Sequence, residues 1–194
     1  MIVLLVIDMQ AGVFEKETPR HDAEGVVSRI NALARVVRQA GGIVIFIQHD
    51  GPQGDPLERG TDGWRILASL ERQNGDMVVH KRACDAFYET DLSDILHKHD
   101  ATQLIVTGCA TDFCVDTTVR AAASRDYEIV VVEDGHTTGD RPHMDAVSVV
   151  RHHNWVWQNL IHPRRQIKVL PAASVIGQVA SNLRKVDSSR PTTP

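Results

Sequence analysis

The chain has 194 residues, 42% of them hydrophobic and 24% charged, with a net charge of -4. This length fits one domain that can bury a full core, and the mild acidity with scattered Lys and Arg leaves no electrostatic footprint for nucleic acid. The first apolar run, "MIVLLVI", lacks a basic lead-in and is cut off by Asp8, so it reads as neither a leader peptide nor the ~18-residue span of a membrane helix.

Residues 2–8, "IVLLVID", form a continuous apolar run, the pattern of a strand buried on both faces. In "DAEGVVSRINALARVVRQAGG", Val26, Val27, Ile30, Leu33, Ala34 and Val37 recur at helical spacing, and Gly41-Gly42 provides a stop. "IVIFIQ" (43–48) is the second strand. Residues 51–63, rich in Gly, Pro and Asp, read as a long loop, and loops of that length usually carry function. A short helix is predicted over 64–70, followed by "MVVHK" (77–81) as strand three. "LSDILHKH" (92–99) is helical, "QLIVTG" (103–108) is strand four, and 113–124 is a helix. "EIVVVED" (128–134) is strand five, 144–160 a long helix, "QIKVL" (166–170) strand six and 172–185 a closing helix. "VDSSRPTTP" (186–194) reads as a frayed polar tail. The expected organisation is therefore a single domain over 1–185 with a flexible tail.

Strands that are unbroken apolar runs, alternating with helices, imply a three-layer α/β/α fold around a mostly parallel, six-stranded sheet. Such sheets bind ligands at the carboxyl ends of their strands, where the winding reverses. With the order 3-2-1-4-5-6, strands one and four meet at that point. Strand one then delivers Asp8, with Gln10 just beyond. Strand three delivers Lys81, and the loop after strand four delivers Cys114 to the first turn of the next helix.

The chemistry of these three groups is complementary. Three cysteines at irregular spacing do not make a disulfide scaffold, which points to a reducing, cytoplasmic setting and to thiols available for reaction. A free thiol has a pKa of about 8.5, and a helix start and a nearby lysine both lower it. A carboxylate can take the departing proton. N–H groups of the turn "CATDFC" could stabilise an oxyanion. The arrangement suits acyl transfer from an amide-like carbon.

Three segments, "VIDMQAGVF", "HKRACDAFYETDL" and above all "VTGCATDFCVDTTVRAA", make the chain resemble the isochorismatase-like cysteine hydrolases, which include nicotinamidases and N-carbamoylsarcosine amidohydrolase. The resemblance runs over roughly 2–160. It implies an Asp8–Lys81–Cys114 triad and a cis peptide bond at Cys109-Ala110, with Ala110 and Cys114 supplying the oxyanion N–H groups. It also implies a homo-oligomer, dimer or tetramer. Nicotinamidase-like relatives bind a metal through an Asp-x-His pattern after strand two, but here Gln48 and Asp50 occupy those positions. The expectation is accordingly no metal, no cofactor and a small-molecule amide-like substrate, with no nucleic-acid or membrane partner.

Each residue also has a plainer reading. Cys114 alone could be a small buried hydrophobe, and Cys109 is better read as packing. Cys84 receives no role. Thr111 and Asp112 suit helix capping. Gln10 is expected to orient the loop after Asp8. Phe14, His49, Trp64, Asp85, Phe87 and Phe113, together with Gln10, are the expected substrate-side residues. His136, Arg141 and His143 lie at the sheet's carboxyl edge, within reach of a substrate or a neighbouring subunit. The tryptophans of "HHNWVW" suit an interface. Among rival functions, ether hydrolysis of the isochorismatase type does not need the cysteine. A non-catalytic binding protein leaves an intact triad unexplained. A nucleotide-binding domain lacks any Gly-x-Gly-x-x-Gly after strand one.

Overall fold

The computed structural model describes residues 1–14 and 19–188. Six parallel strands form one sheet in the order β3-β2-β1-β4-β5-β6. In chain order these are β1 (Ile2–Ile7), β2 (Ile43–His49), β3 (Met77–Lys81), β4 (Gln103–Cys109), β5 (Glu128–Thr137) and β6 (Lys168–Leu170). The helices are α1 (Ala11–Phe14), α2 (Ala23–Gln39), α3 (Leu92–Lys98), α4 (Asp116–Ala123), α5 (Ala146–Gln158) and α6 (Ala172–Ser188). The expected tail from 189 onward lies outside the described residues, while α6 continues past the predicted end at 185.

Strand periodicity sorts the core into two slabs. Val3, Leu5 and Ile7 of β1, with Ile45, Ile47, Leu104, Val106, Ile129 and Val131, face α3, α4 and Trp157 of α5. Leu4 and Val6, with Val44, Phe46, Ile105, Val130 and Val132, face the Val26, Ile30, Leu33 and Val37 side of α2 and the Val175 and Val179 side of α6. Both faces being covered is why the strands read as unbroken apolar runs.

Three local expectations fail. No helix forms over 64–70; the segment is a series of turns bridged to the chain after β1. Its backbone pairs outward, with Ala11 donating to Arg65 O (2.9 Å) and Leu67 donating to Met9 O (2.9 Å), which removes the groups a helix would pair internally. Next, α4 starts only at Asp116, preceded by a π-helical turn over Thr111–Val115 closed by Val115 N–H to Ala110 O at 3.1 Å. Lastly, β5 runs on to Thr137, past an irregular register between Val106 and Gly108 of β4, so the polar end of β5 reaches the site.

Gly108 is where β4 presses on β1. Its φ is 123°, and a Cβ there would lie 2.2 Å from the carbonyl oxygen of Ile7. A side chain at 108 would drive apart the two strands whose ends carry Asp8 and Cys114.

Candidate active site

The sheet's carboxyl edge brings the three expected groups together. Asp8 follows β1 in the left-handed region (φ 46°), a conformation that Asp tolerates better than most residues. Lys81, the last residue of β3, is 2% exposed, and its Nζ donates to Asp8 Oδ2 at 2.6 Å, to Ala83 O at 3.0 Å and to Cys114 Sγ at 3.3 Å. Asp8 Oδ1 is buried and has no hydrogen-bond partner among the described residues. Cys114 is half-buried in the π-helical turn. The Cys109–Ala110 peptide bond is cis, and among the described residues the Ala110 N–H donates to no backbone acceptor.

The electrostatics correct one expectation. Burial, followed by the Asp8 carboxylate, pushes the Cys114 thiol well above its ordinary pKa against the opposing pull of Lys81. Burial first, and then the carboxylate that offsets the ammonium's field, thus favour the protonated thiol over the acidified one that the sequence suggested. For Lys81, burial acts to lower the pKa, but Asp8 and Cys114 outweigh it and hold the ammonium above its usual value. A carboxylate, an ammonium and a thiol thus sit side by side, with Asp8 Oδ1 left without a hydrogen-bond partner among the described residues.

The expected substrate-side residues divide. His49, at the end of β2, has Nδ1 3.5 Å from Lys81 Nζ and belongs to the site. Phe113, next to Cys114 in the chain, is largely exposed beneath the Arg141 guanidinium at 5.1 Å. Trp64 donates from Nε1 to Asp50 Oδ1 (2.7 Å) and stacks on His80 at 5.7 Å, with the Arg59 guanidinium 5.8 Å from its ring centroid. A groove of about 320 Å³ beside Lys81 is lined by Asp50, Arg59, His80, Arg82, Tyr88 and Glu89, so Trp64 meets it only through the Asp50 and His80 side chains that it contacts. Asp85 Oδ1 accepts from Phe87 N–H at 2.8 Å, a local turn contact.

Three others stand apart from the chemistry. Phe87 is in the core, stacked on Tyr127 and covered by Arg125. Phe14 lines a separate groove with Val27 and Leu67 against α2. Gln10 is fully buried and braces the loops, its Nε2 donating to His49 O (3.0 Å) and Trp64 O (2.8 Å) while its Oε1 accepts from His49 N–H (2.8 Å). Its expected role of orienting the loop is the one the contacts support.

Thr111 and Asp112 make no capping bonds. Thr111 Oγ1 lies 2.9 Å from His136 Nδ1, and His136 Nε2 lies 2.9 Å from Asn154 Oδ1, whose amide donates to Glu133 O. Because Oδ1 can only accept, His136 donates to Asn154 and accepts from Thr111. Burial pulls the His136 pKa down to about 4, so this relay is uncharged at neutral pH. Asp112 pairs with Arg141 (2.7 Å) and accepts from Thr138 Oγ1 (2.8 Å). His136 is buried with both ring nitrogens engaged, whereas Arg141 is partly exposed and uses Nε and Nη2 to hold Asp112 and Thr138. Trp157 is fully buried against His136, so only Trp155 of the tryptophan pair faces outward. Burial raises the Cys109 pKa to about 12, consistent with a packing role. Asn154 was not anticipated; an Asn within a helix carries no sequence signal of such a bond.

The positions that would ligate a metal serve structure here: Gln48 Nε2 donates to Trp64 O at 2.8 Å, and Asp50 holds Trp64 and His80. Among the described residues, no group of three or more His, Cys, Asp or Glu is placed to hold a metal ion.

Residues 3–158 match the family model of the isochorismatase domain. The chain belongs to the isochorismatase family. Its relatives include hydrolases. Streptothricin hydrolase of Streptomyces noursei is 33% identical over 145 residues, 75% of this chain and 58% of that protein, so the chain spans little more than half of that relative. A ureidoacrylate amidohydrolase of Variovorax paradoxus is 27% identical, over 68% of this chain and 66% of that protein. Among solved structures, an isochorismatase family protein at 30% identity superposes with a TM-score of 0.80, covering 87% of this chain and 97% of that one.

Proposed function

We propose that this isochorismatase-family protein is a cysteine-dependent amidohydrolase that cleaves a non-peptide C–N bond of a small molecule through a thioester. The observation that carries this reading is the contact of Lys81 Nζ with both Asp8 Oδ2 (2.6 Å) and Cys114 Sγ (3.3 Å). Ether hydrolysis needs no sulfur there. Streptothricin and ureidoacrylate hydrolysis by relatives support an amide, carbamoyl or lactam substrate.

In the proposed cycle, the thiol proton passes to Asp8 as the sulfur attacks the carbonyl carbon. Lys81 stabilises the sulfur as its charge develops, and the Ala110 and Cys114 N–H groups hold the tetrahedral oxygen. Asp8 returns the proton to the leaving nitrogen, and the C–N bond breaks to release ammonia or an amine. A water then gives a proton to Asp8 and its oxygen attacks the thioester. The C–S bond breaks, the carboxylic acid departs, and Asp8 restores the thiol. Keeping the thiol protonated at rest confines nucleophile formation to the moment when a substrate carbonyl is in place.

The test is a panel of primary amides, N-carbamoyl amino acids and lactams, scored for ammonia or amine release. Cys114→Ala and Cys114→Ser should lose turnover by on the order of 10³-fold or more while keeping the native circular dichroism. Full activity in either variant would refute the assignment.

A further inference from the structure

Lys81 has one contact too many. An ammonium carries three N–H groups and no lone pair. Asp8 Oδ2 at 2.6 Å and Ala83 O at 3.0 Å engage two of them, leaving Cys114 Sγ at 3.3 Å and His49 Nδ1 at 3.5 Å to compete for the third. Since Lys81 can only donate, His49 Nδ1 must accept, and the imidazole proton then sits on Nε2. Burial and then Lys81 lower the His49 pKa below 6.5, which keeps the ring neutral and Nδ1 open. His49 is held for this contact by its backbone: Gln10 grips both its N–H and its carbonyl.

A thiol sulfur is a weak acceptor, whereas a thiolate is a strong, charged one. The third N–H of Lys81 therefore has a different best partner before and after the sulfur loses its proton. We propose that His49 is a positioning residue that shares the third Lys81 N–H while Cys114 is a thiol and yields it to the sulfur when the thiolate forms. His49 thereby keeps the resting cysteine unreactive, acting through Lys81 rather than on the substrate. The inference rests on the reading of Cys114 as the nucleophile. The titratable groups facing the sulfur are Asp8 from the end of β1, Lys81 from β3 and Cys84 from the loop after β3. Those acting on His49 besides Lys81 and Asp8 are Asp50 and Asp55, beyond β2. All of these stay in place in the variants below.

The experiment is the pH dependence of iodoacetamide alkylation at Cys114, read by peptide mass spectrometry so that Cys84 and Cys109 are scored separately. His49→Leu removes the competing acceptor, and its alkylation midpoint should fall by about half a pH unit or more, the worth of one ordinary hydrogen bond. His49→Gln keeps an acceptor oxygen and should hold the midpoint near wild type. Nitrogen-15 NMR of the wild-type imidazole should show Nδ1 unprotonated and Nε2 protonated, a readout independent of whether the Leu variant folds. An unchanged or raised midpoint in His49→Leu, or a protonated Nδ1 in the wild type, would overturn the proposal. Absence of alkylation at Cys114 at every pH, with turnover retained, would overturn the nucleophile assignment as well.

Discussion

Asp8 and Lys81 form an ion pair almost wholly removed from water, 2.6 Å apart with side chains 6% and 0% exposed. Such a pair adds little net stability, but losing one partner strands a buried charge at a cost of about 3–5 kcal/mol. Lys81→Met should lower the unfolding free energy by about that much in a urea titration and abolish turnover. Adding Asp8→Asn to Lys81→Met should restore part of the stability and none of the activity. If the single variant is as stable as wild type, the pair is not buried as described. At this scale the sequence pointed to which residues meet, because "VID" and "HK" each sit at the end of an apolar run and "DFC" follows the turn after a third. It did not reveal the state of the thiol. That depends on how a carboxylate and an ammonium are balanced around one sulfur, a matter of ångströms that spacing along the chain does not encode.

Among the elements, the π-helical turn Thr111–Val115 carries Cys114, the proposed nucleophile, and it is held from outside rather than by helical capping. Thr111, His136 and Asn154 tie it to α5, and Asp112 and Arg141 tie it to the loop after β5. The polar end of β5 explains why the sequence misplaced these roles: Thr and Asp before a helix are common caps, and only the extra length of β5 brings His136 within reach. The relay has a consequence for stability. His136 has a folded pKa of about 4 against 6.5 for an ordinary histidine. The unfolded chain therefore binds more protons between those values, so the contribution is complete above pH 6.5 and is lost as the pH falls to about 4. Its size is on the order of 3 kcal/mol. The melting curve of His136→Gln should fall less steeply than that of wild type across this window, and parallel curves would contradict the buried relay. Gly108 offers a second check. Gly108→Ala places a methyl 2.2 Å from Ile7 O, and should cost roughly 3 kcal/mol or about 6–12 °C in Tm. A melting temperature equal to wild type would mean that β1 and β4 are not pressed together there.

For the whole molecule, a sheet in the order β3-β2-β1-β4-β5-β6 sets the ends of β1, β2, β3 and β4 along one edge. That edge is where residues 8, 49, 81 and 114, spread over more than half the chain, become neighbours. The topology was legible from the alternation of apolar runs and helical periods, since parallel strands buried on both faces leave few other ways to wind. The absent helix over 64–70 was not, because its backbone pairs with the chain beyond β1, a long-range choice that local periodicity does not carry. Among the described residues no helix is long and apolar enough to cross a membrane.

The central claim is that Cys114 becomes covalently acylated during turnover. The most direct measurement is intact-protein and peptide mass spectrometry on enzyme acid-quenched while hydrolysing the best substrate of the amide panel. The account predicts an added mass equal to the substrate's acyl portion, located on Cys114 and absent from Cys114→Ala. Sustained turnover by Cys114→Ala, or an acyl group found on any other residue, would contradict it.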